Sequence, residues 1–305
     1  MRYVIIGGSA AAIGCIEGVR SVDKTGEIIL ITGETEWNYS RPLISYLLEG
    51  KTTRDKMWCR PDSFFTRNGV TVKAGVLATA LDAGDRTVRL STGERLAYDR
   101  LLAATGSRPF VPPIPGLETV ERTFCFQTLS DASALAEALR PESRVLILGA
   151  GLTGVKCAEG IRGLCAQIAI ADLAPRVLPA VLDDTAAAMV QARMEEKGVR
   201  FYLNDSAAAF RGNTARLQSG TELEFDVLVT AVGVRPNTQL VADAGGAVDR
   251  GILVDGRCAT TLPDVYAAGD CAQGYDAVSG EKRMLPLWPN AMLQGETAGI
   301  NMAGG

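Results

Sequence analysis

Two short runs of small residues have the spacing that phosphate binding requires. Gly149-Ala150-Gly151-Leu152-Thr153-Gly154 fills all three glycine places of G-x-G-x-x-G, and in Gly7-Gly8-Ser9-Ala10-Ala11-Ala12 the small residues Gly7, Ser9 and Ala12 stand in the same places. When such a run follows a strand and opens a helix, the first small residue permits a tight turn. The second lets the backbone approach a pyrophosphate, and the third lets the helix pack on the strand. The amides of the helix N-terminus then face the anion. An acid about twenty residues further on accepts a hydrogen bond from a ribose hydroxyl. Asp172 lies 18 residues after Gly154, and Glu34 lies 22 residues after Ala12, with Glu36 as a competing candidate.

The flanking residues supply the elements that these roles need. Tyr3-Val4-Ile5-Ile6 and Arg144 to Leu148 are short apolar runs of the kind found in parallel strands buried on both faces. Ile13 to Arg20 and Val155 to Gly163 read as helices, and Glu27 to Thr32 and Gln167 to Ala171 as second strands. The N-terminal apolar stretch also has some features of a signal peptide, but strand, small-residue turn and helix account for it better. The duplication extends further. Tyr98 to Pro109 recurs as Phe225 to Pro236, offset by 127, whereas the glycine runs are offset by 142. A hairpin precedes each copy, Thr87 to Leu90 with Arg95 to Ala97, and Ala215 to Leu217 with Glu222 to Phe225. The fold class is therefore α/β, with two doubly wound Rossmann-like dinucleotide-binding domains and hence two nucleotides.

Composition narrows the chemistry. The 305 residues include no histidine, so Ser-His-Asp and Cys-His hydrolysis and His-ligated zinc or haem are excluded. The seven cysteines form no C-x-x-C pair and read as scattered thiols of a reducing, cytoplasmic compartment, with no metal site. A net charge of -4 gives no reason to expect nucleic acid or an anionic membrane as partner, and no apolar run is long enough to span a membrane.

With Tyr39-Ser40-Arg41-Pro42-Leu43, Ala104-Thr105-Gly106-Ser107-Arg108-Pro109, Ala171 to Pro175 and Tyr266-Ala267-Ala268-Gly269-Asp270 added to the two glycine runs, the chain resembles the pyridine nucleotide-disulfide oxidoreductase family. It is most similar to the branch of NADH:rubredoxin reductases and the flavoprotein part of NADH-dependent nitrite reductases. The resemblance implies an NAD(H) domain inserted into an FAD domain: residues 1–112 and 241–305 for FAD, and 113–240 for NAD(H). It places Gly7, Ser9, Ala10 and Ala12 at the FAD pyrophosphate, Glu34 at the adenosine ribose, and Arg41 and Pro42 near the phosphates and flavin. Asp270 would face the ribityl chain or pyrophosphate, with a helix starting at Cys271 behind it, or would merely cap that helix. Thr105 and Gly106 join the cofactor-binding set. Trp288 either lines the flavin or packs in the core. Gly149, Gly151, Leu152, Thr153, Gly154, Asp172 and Gly233 form the NAD(H) set. Asp172 favours NADH over NADPH unless Arg176 folds over a 2′-phosphate.

Departures from the family pattern separate the branches. No C-x4-C or C-x-x-C pair is present, and Glu49 stands where single-cysteine members carry their reactive thiol. Where related ferredoxin reductases place a Lys and a Glu beside the flavin, this chain has Tyr46 and Lys156. Lys156 is expected in the first helical turn, facing the flavin, or else paired with Glu159. Family members usually continue into a C-terminal interface domain, so the chain ending at Gly305 is expected to be either truncated or a minimal form that uses a partner subunit. The function these features imply is hydride transfer from NADH to FAD, then electron transfer to rubredoxin, a ferredoxin-type iron–sulfur protein or a partner subunit. The alternatives are an NADH oxidase acting on oxygen and a non-catalytic sensor or scaffold that binds both nucleotides.

Overall fold

The computed structural model describes all 305 residues. The chain forms two compact units, one of residues 1–40, 58–107 and 236–305, the other of residues 41–57 and 108–235. The long excursion at 108–235 begins and ends within a few residues of the sequence division at 112/113 and 240/241. Residues 41–57 also group with the second unit. Their helix Ile44–Leu48 packs against helix Leu152–Ile161, where Gly160 leaves room for the Ser45 backbone; a Cβ at 160 would lie 3.0 Å from the Ser45 carbonyl oxygen.

Each unit is built around a five-stranded sheet whose pairings are all parallel. In the first, strand Arg2–Ile6 lies between Glu27–Thr32 and Arg100–Ala103, with Val70–Ala74 and Val265–Ala267 at the edges. In the second, Arg144–Leu148 lies between Gln167–Asp172 and Val227–Thr230, with Val199–Leu203 and Thr123–Phe124 outside them. Val4, Ile5, Ile147 and Leu148 have no exposed surface, as continuous apolar runs in doubly covered parallel strands should. A three-stranded antiparallel sheet accompanies each unit, and its last two strands are the hairpin expected from sequence: Thr87–Leu90 with Arg95–Ala97, and Thr214–Leu217 with Glu222–Glu224.

In the first unit, helix Ala10–Val22 is set against the C-terminal helix Trp288–Met302 by four glycines in two G-x-x-x-G pairs. A Cβ at Gly14 would lie 2.2 Å from the Met292 carbonyl oxygen, and one at Gly18 2.2 Å from that of Glu296. From the other side, a Cβ at Gly295 would lie 2.0 Å from the Ala11 oxygen, and one at Gly299 2.3 Å from that of Cys15. The two backbones touch directly, which fixes the axis of the helix that follows the Gly7 run.

Gly299→Ala therefore has an unusual expected sign. Helix propensity alone favours alanine by about 1 kcal/mol, but overpacking against the Cys15 carbonyl is expected to destabilise the protein by about 1–3 kcal/mol net. Thermal unfolding reads this as a fall of a few degrees in Tm, and a rise would show that the helices separate without cost.

Candidate functional site

The two glycine loops are built alike. Gly7 has φ +120° and donates its N–H to the Ile31 carbonyl at 2.8 Å; Gly149 has φ +108° and donates to Ala171 at 2.8 Å. A Cβ at Gly7 would lie 2.0 Å from the Ala104 oxygen, and one at Gly149 2.4 Å from the Ala231 oxygen. Ala104 and Ala231 are counterparts in the 127-residue repeat, so the strand closing each unit supports its loop. The loops differ at their third small residue. A Cβ at Gly154 would lie 1.9 Å from the Gly149 oxygen, which enforces glycine, whereas the first loop accommodates Ala12, fully buried.

Neither helix start is capped by its own chain. Ser9 and Gly151 are the N-cap residues, extended and without a side-chain cap bond. The first bonded amides are those of Ala12, to Ser9 at 3.0 Å, and Val155, to Gly151 at 3.0 Å. That leaves the N–H groups of Ala10 and Ala11, and of Leu152, Thr153 and Gly154, without an acceptor. Unsatisfied amides at the positive end of the helix dipole suit a phosphate. Of the other helices of ten residues or more, Leu129–Ala138 and Asp184–Glu195 are capped by the Thr128 and Asp183 side chains, while Trp288–Met302 also starts without a side-chain cap but carries Pro289, which has no N–H to satisfy, in its first turn. Gly151 adds a second sign, because a Cβ there would meet nothing within 4 Å although the sequence supplies glycine.

The acids lie just beyond the second strands. Glu34 is two residues past Glu27–Thr32, and its Oε2 accepts the Tyr39 hydroxyl at 2.6 Å. Asp172 ends its strand and accepts two amides, Ala150 N–H at 2.5 Å and Ala174 N–H at 2.7 Å. It therefore braces the glycine loop as well as standing where a ribose acceptor is expected.

Several other candidates take forms that the sequence did not specify. The Thr105 hydroxyl donates to the Asn237 carbonyl at 2.6 Å, and the Asn237 amide donates back to the Thr105 carbonyl at 2.9 Å. Asn237 follows the repeated Arg-Pro pair where the first copy has Phe110, a break in the repeat that could have flagged it. Gly106, with φ +65°, has open space above it. Asp270 accepts the Ser107 hydroxyl at 3.0 Å. No helix starts at Cys271: strand Ala272–Tyr275 follows, pairing with Ile252–Leu253 and Lys282–Arg283, so both the supporting dipole and the helix-cap role of Asp270 are withdrawn. Trp288 begins the C-terminal helix and packs on the core that contains Ala10, Ala11 and Ala268, while its indole N–H is buried without a partner. Core packing and an unspent donor thus coexist in that residue.

In the second unit Arg41 and Pro42 lie in the short helix Arg41–Leu43, and Arg41 donates to the Gln127 carbonyl at 3.0 Å. Thr153 and Gly233 line a small cavity of about 30 Å³ with Phe126, Thr230 and Pro109. Phe126 was missed, although Thr128-x-x-Asp131 just after it is a capping box legible in the sequence. A larger cleft of about 330 Å³ lies between helices Leu152–Ile161 and Asp184–Glu195, walled by Val155, Met189 and Met194, and includes no residue of the glycine loop.

Lys156 is the fifth residue of its helix and so sits in the second turn, not the first. It pairs with Glu159, and its ammonium lies 4.2 Å from the centre of the Tyr46 ring. Tyr46 and Lys156, the two departures noted in the sequence, are thus in cation–π contact.

Six of the seven thiols are pushed away from the reactive form by burial. All seven cysteines are free, and burial pushes Cys165 and Cys258 up to about 11 and raises Cys15, Cys59, Cys157 and Cys271 as well. Thiolate, the reactive form, is correspondingly scarce near neutral pH.

A family model described as pyridine nucleotide-disulphide oxidoreductase matches residues 1–295. Over 99% of its length the chain is 34% identical to the NADH-dependent phenylglyoxylate dehydrogenase subunit epsilon of Aromatoleum evansii, covering 72% of that protein. It is 32% identical over 92% of its length to the assimilatory nitrate reductase electron transfer subunit of Bacillus subtilis (strain 168), but spans only 37% of it. With a rubredoxin-NAD(+) reductase of Pseudomonas putida it shares 28% identity over its full length and 80% of the relative. Among solved structures, the covalent putidaredoxin reductase–putidaredoxin complex superposes with a TM-score of 0.92 at 26% identity, over 99% of this chain and 75% of that one.

Gly151→Val separates folding from binding. With open space at this position, the melting temperature of the variant should stay within about 2 °C of wild type, since surface changes are near neutral. The dissociation constant for NADH, measured by calorimetry, should rise at least about tenfold, because bulk then meets the pyrophosphate. Unchanged affinity would remove this loop from the nucleotide site.

Proposed function

Since the chain belongs to the pyridine nucleotide-disulphide oxidoreductase family, we propose that it is an NADH-dependent flavoprotein oxidoreductase that passes electrons to a redox protein. The observation that carries this reading is the pair of uncapped helix starts, each behind a glycine turn, in a chain without histidine and without a C-x-x-C or C-x4-C thiol pair. The N–H groups of Ala10 and Ala11 would hold the FAD pyrophosphate, with Glu34, fixed by Tyr39, accepting from the adenosine ribose. The buried Trp288 indole N–H supplies a donor on the same core, and Asp270, oriented by Ser107, an acceptor. The amides of Leu152, Thr153 and Gly154 would hold the NADH pyrophosphate, and Asp172 a ribose hydroxyl, with Thr153 and Gly233 lining the adjoining cavity. When bound, FAD would supply a centre able to take up a hydride and to give up electrons singly. The side chains then have only to bind, orient and exclude water, for no proton has to pass through a protein acid or base. Lys156 lies in this unit with its ammonium paired to Glu159 and set over the Tyr46 ring.

The acceptor in this proposal is an iron–sulfur protein or a partner subunit, the kinds of partner that the named relatives and the solved complex point to. No helix is long and apolar enough to cross a membrane. We place the protein in the cytoplasm, on the ground that seven cysteines are left unpaired.

Anaerobic addition of NADH should bleach the flavin absorbance within seconds, and exchange of Cys59 and Cys271 for Ser should leave that rate within about threefold. A flavin that stays oxidised would turn the reading towards a nucleotide-binding scaffold. Peroxide formation as fast as reduction of any rubredoxin or ferredoxin would turn it towards an oxidase.

A further inference from the structure

Beyond Asp172 the chain makes a tight return. Asp172 accepts from Ala174 N–H at 2.7 Å, and four residues after Ala174 the Leu178 N–H returns to the Ala150 carbonyl at 2.8 Å. Arg176 lies midway between these two anchors. At 3.8 Å per step its Cα is no more than about 7.6 Å from that of either Ala174 or Leu178, within the span of an extended arginine side chain. Yet the guanidinium makes no contact with Asp172. Its Nη1 pairs with Asp184 at 3.0 Å, while Nε and Nη2 reach the Leu182 and Pro179 carbonyls, each at 3.3 Å.

A 2′-phosphate carries about −1.5 to −2 charge. Beside Asp172 it would be repelled unless a cation came with it, and arginine is the side chain best shaped to supply that charge. We propose that Asp184 is a positioning residue for nucleotide choice: it holds Arg176 against the start of helix Asp184–Glu195 and so withholds a cation from the ribose side of Asp172. This rests on the reading of the Gly149 loop as a pyridine nucleotide site. The latch is shallow. The Asp184 side chain is 90% exposed, its ion pair is solvated, and both carbonyl bonds are long. Removing one charge is therefore enough to free the guanidinium without unfolding the loop, which Leu178 still ties to Ala150.

The test is calorimetric and needs no turnover: ADP-ribose and 2′-phospho-ADP-ribose are titrated into the FAD-loaded wild type, Asp184→Asn, Asp184→Glu and the double variant Arg176→Gln/Asp184→Asn. Asp184→Asn should bind the phosphorylated ligand about fivefold more tightly, the scale of one surface charge pair. ADP-ribose affinity should stay within about twofold, Asp184→Glu should behave as wild type, and the double variant should lose the gain. If ADP-ribose binds and Asp184→Asn leaves the phosphorylated ligand unchanged, or if the gain survives loss of Arg176, the latch is refuted while the nucleotide site stands. If the wild type binds neither ligand, the nucleotide reading falls and the latch with it.

Discussion

Close approach of backbone to backbone, with no side chain between, is the constraint on which both units depend. Gly7 rests on the Ala104 carbonyl and Gly149 on the Ala231 carbonyl, at distances that leave no room for a Cβ. The positive φ at each glycine turns the chain out of its central strand, and the helix that follows points its first amides to the carboxyl end of the parallel sheet. Lengthening that contact by one methyl group would move the helix start relative to the strand ends, where the acids, the Thr105–Asn237 clamp and Gly233 are placed. In the first unit the same device recurs one layer out. Gly14, Gly18, Gly295 and Gly299 bring two helices into backbone contact, so the helix behind the Gly7 turn is fixed along its length as well as at its start.

The two units show how far one plan tolerates variation. Gly154 is held to glycine by the Gly149 oxygen, whereas Ala12 occupies the equivalent place, because the approach of helix to strand differs slightly between the copies. The acids diverge too. Glu34 is held by a tyrosine hydroxyl from the segment that follows it, and Asp172 by two amides of its own turn. A carboxylate that already accepts two N–H bonds is fixed in orientation, and its remaining lone pairs are directed by the loop it braces.

What was legible in the sequence follows the range of the physics involved. Glu27–Thr32 and Arg144–Leu148 were readable to the residue, because a doubly covered parallel strand must be continuously apolar and its ends are punctuated by glycine or charge. A helix directly after the Gly149 run, and a strand from Gln167 that closes at Asp172, were legible for the same local reason, with the helix starting three residues earlier than read. Cys271 misled, since a glycine–acid pair after a strand resembles a helix start, while the actual outcome depends on pairing of Ala272–Tyr275 with strands about twenty residues earlier and ten later. Non-local pairing leaves little trace in a four-residue segment. Lys156 falls one turn later than expected because the helix begins at Leu152, three residues before the Val155 start that the sequence suggests. The Asn237 clamp and the contact of Lys156 with Tyr46 join residues 132 and 110 positions apart, which no local pattern reports.

Tyr46 and Lys156 also show why the composition matters to mechanism. Lys156, paired with Glu159 and set over the Tyr46 ring, is held in place by two neighbours of its own unit. Burial pushes six of the seven thiols towards their protonated state, and histidine is absent, so the imidazole that thiol chemistry would call on is missing. Such a scaffold is poorly equipped for disulfide exchange, where a leaving thiolate must be protonated. It is well suited to hydride and single-electron transfer, which ask of the protein only placement, fixed charge and exclusion of water. The lack of histidine is thus compatible with catalysis in the proposed reaction, because there the hard chemistry belongs to the cofactors.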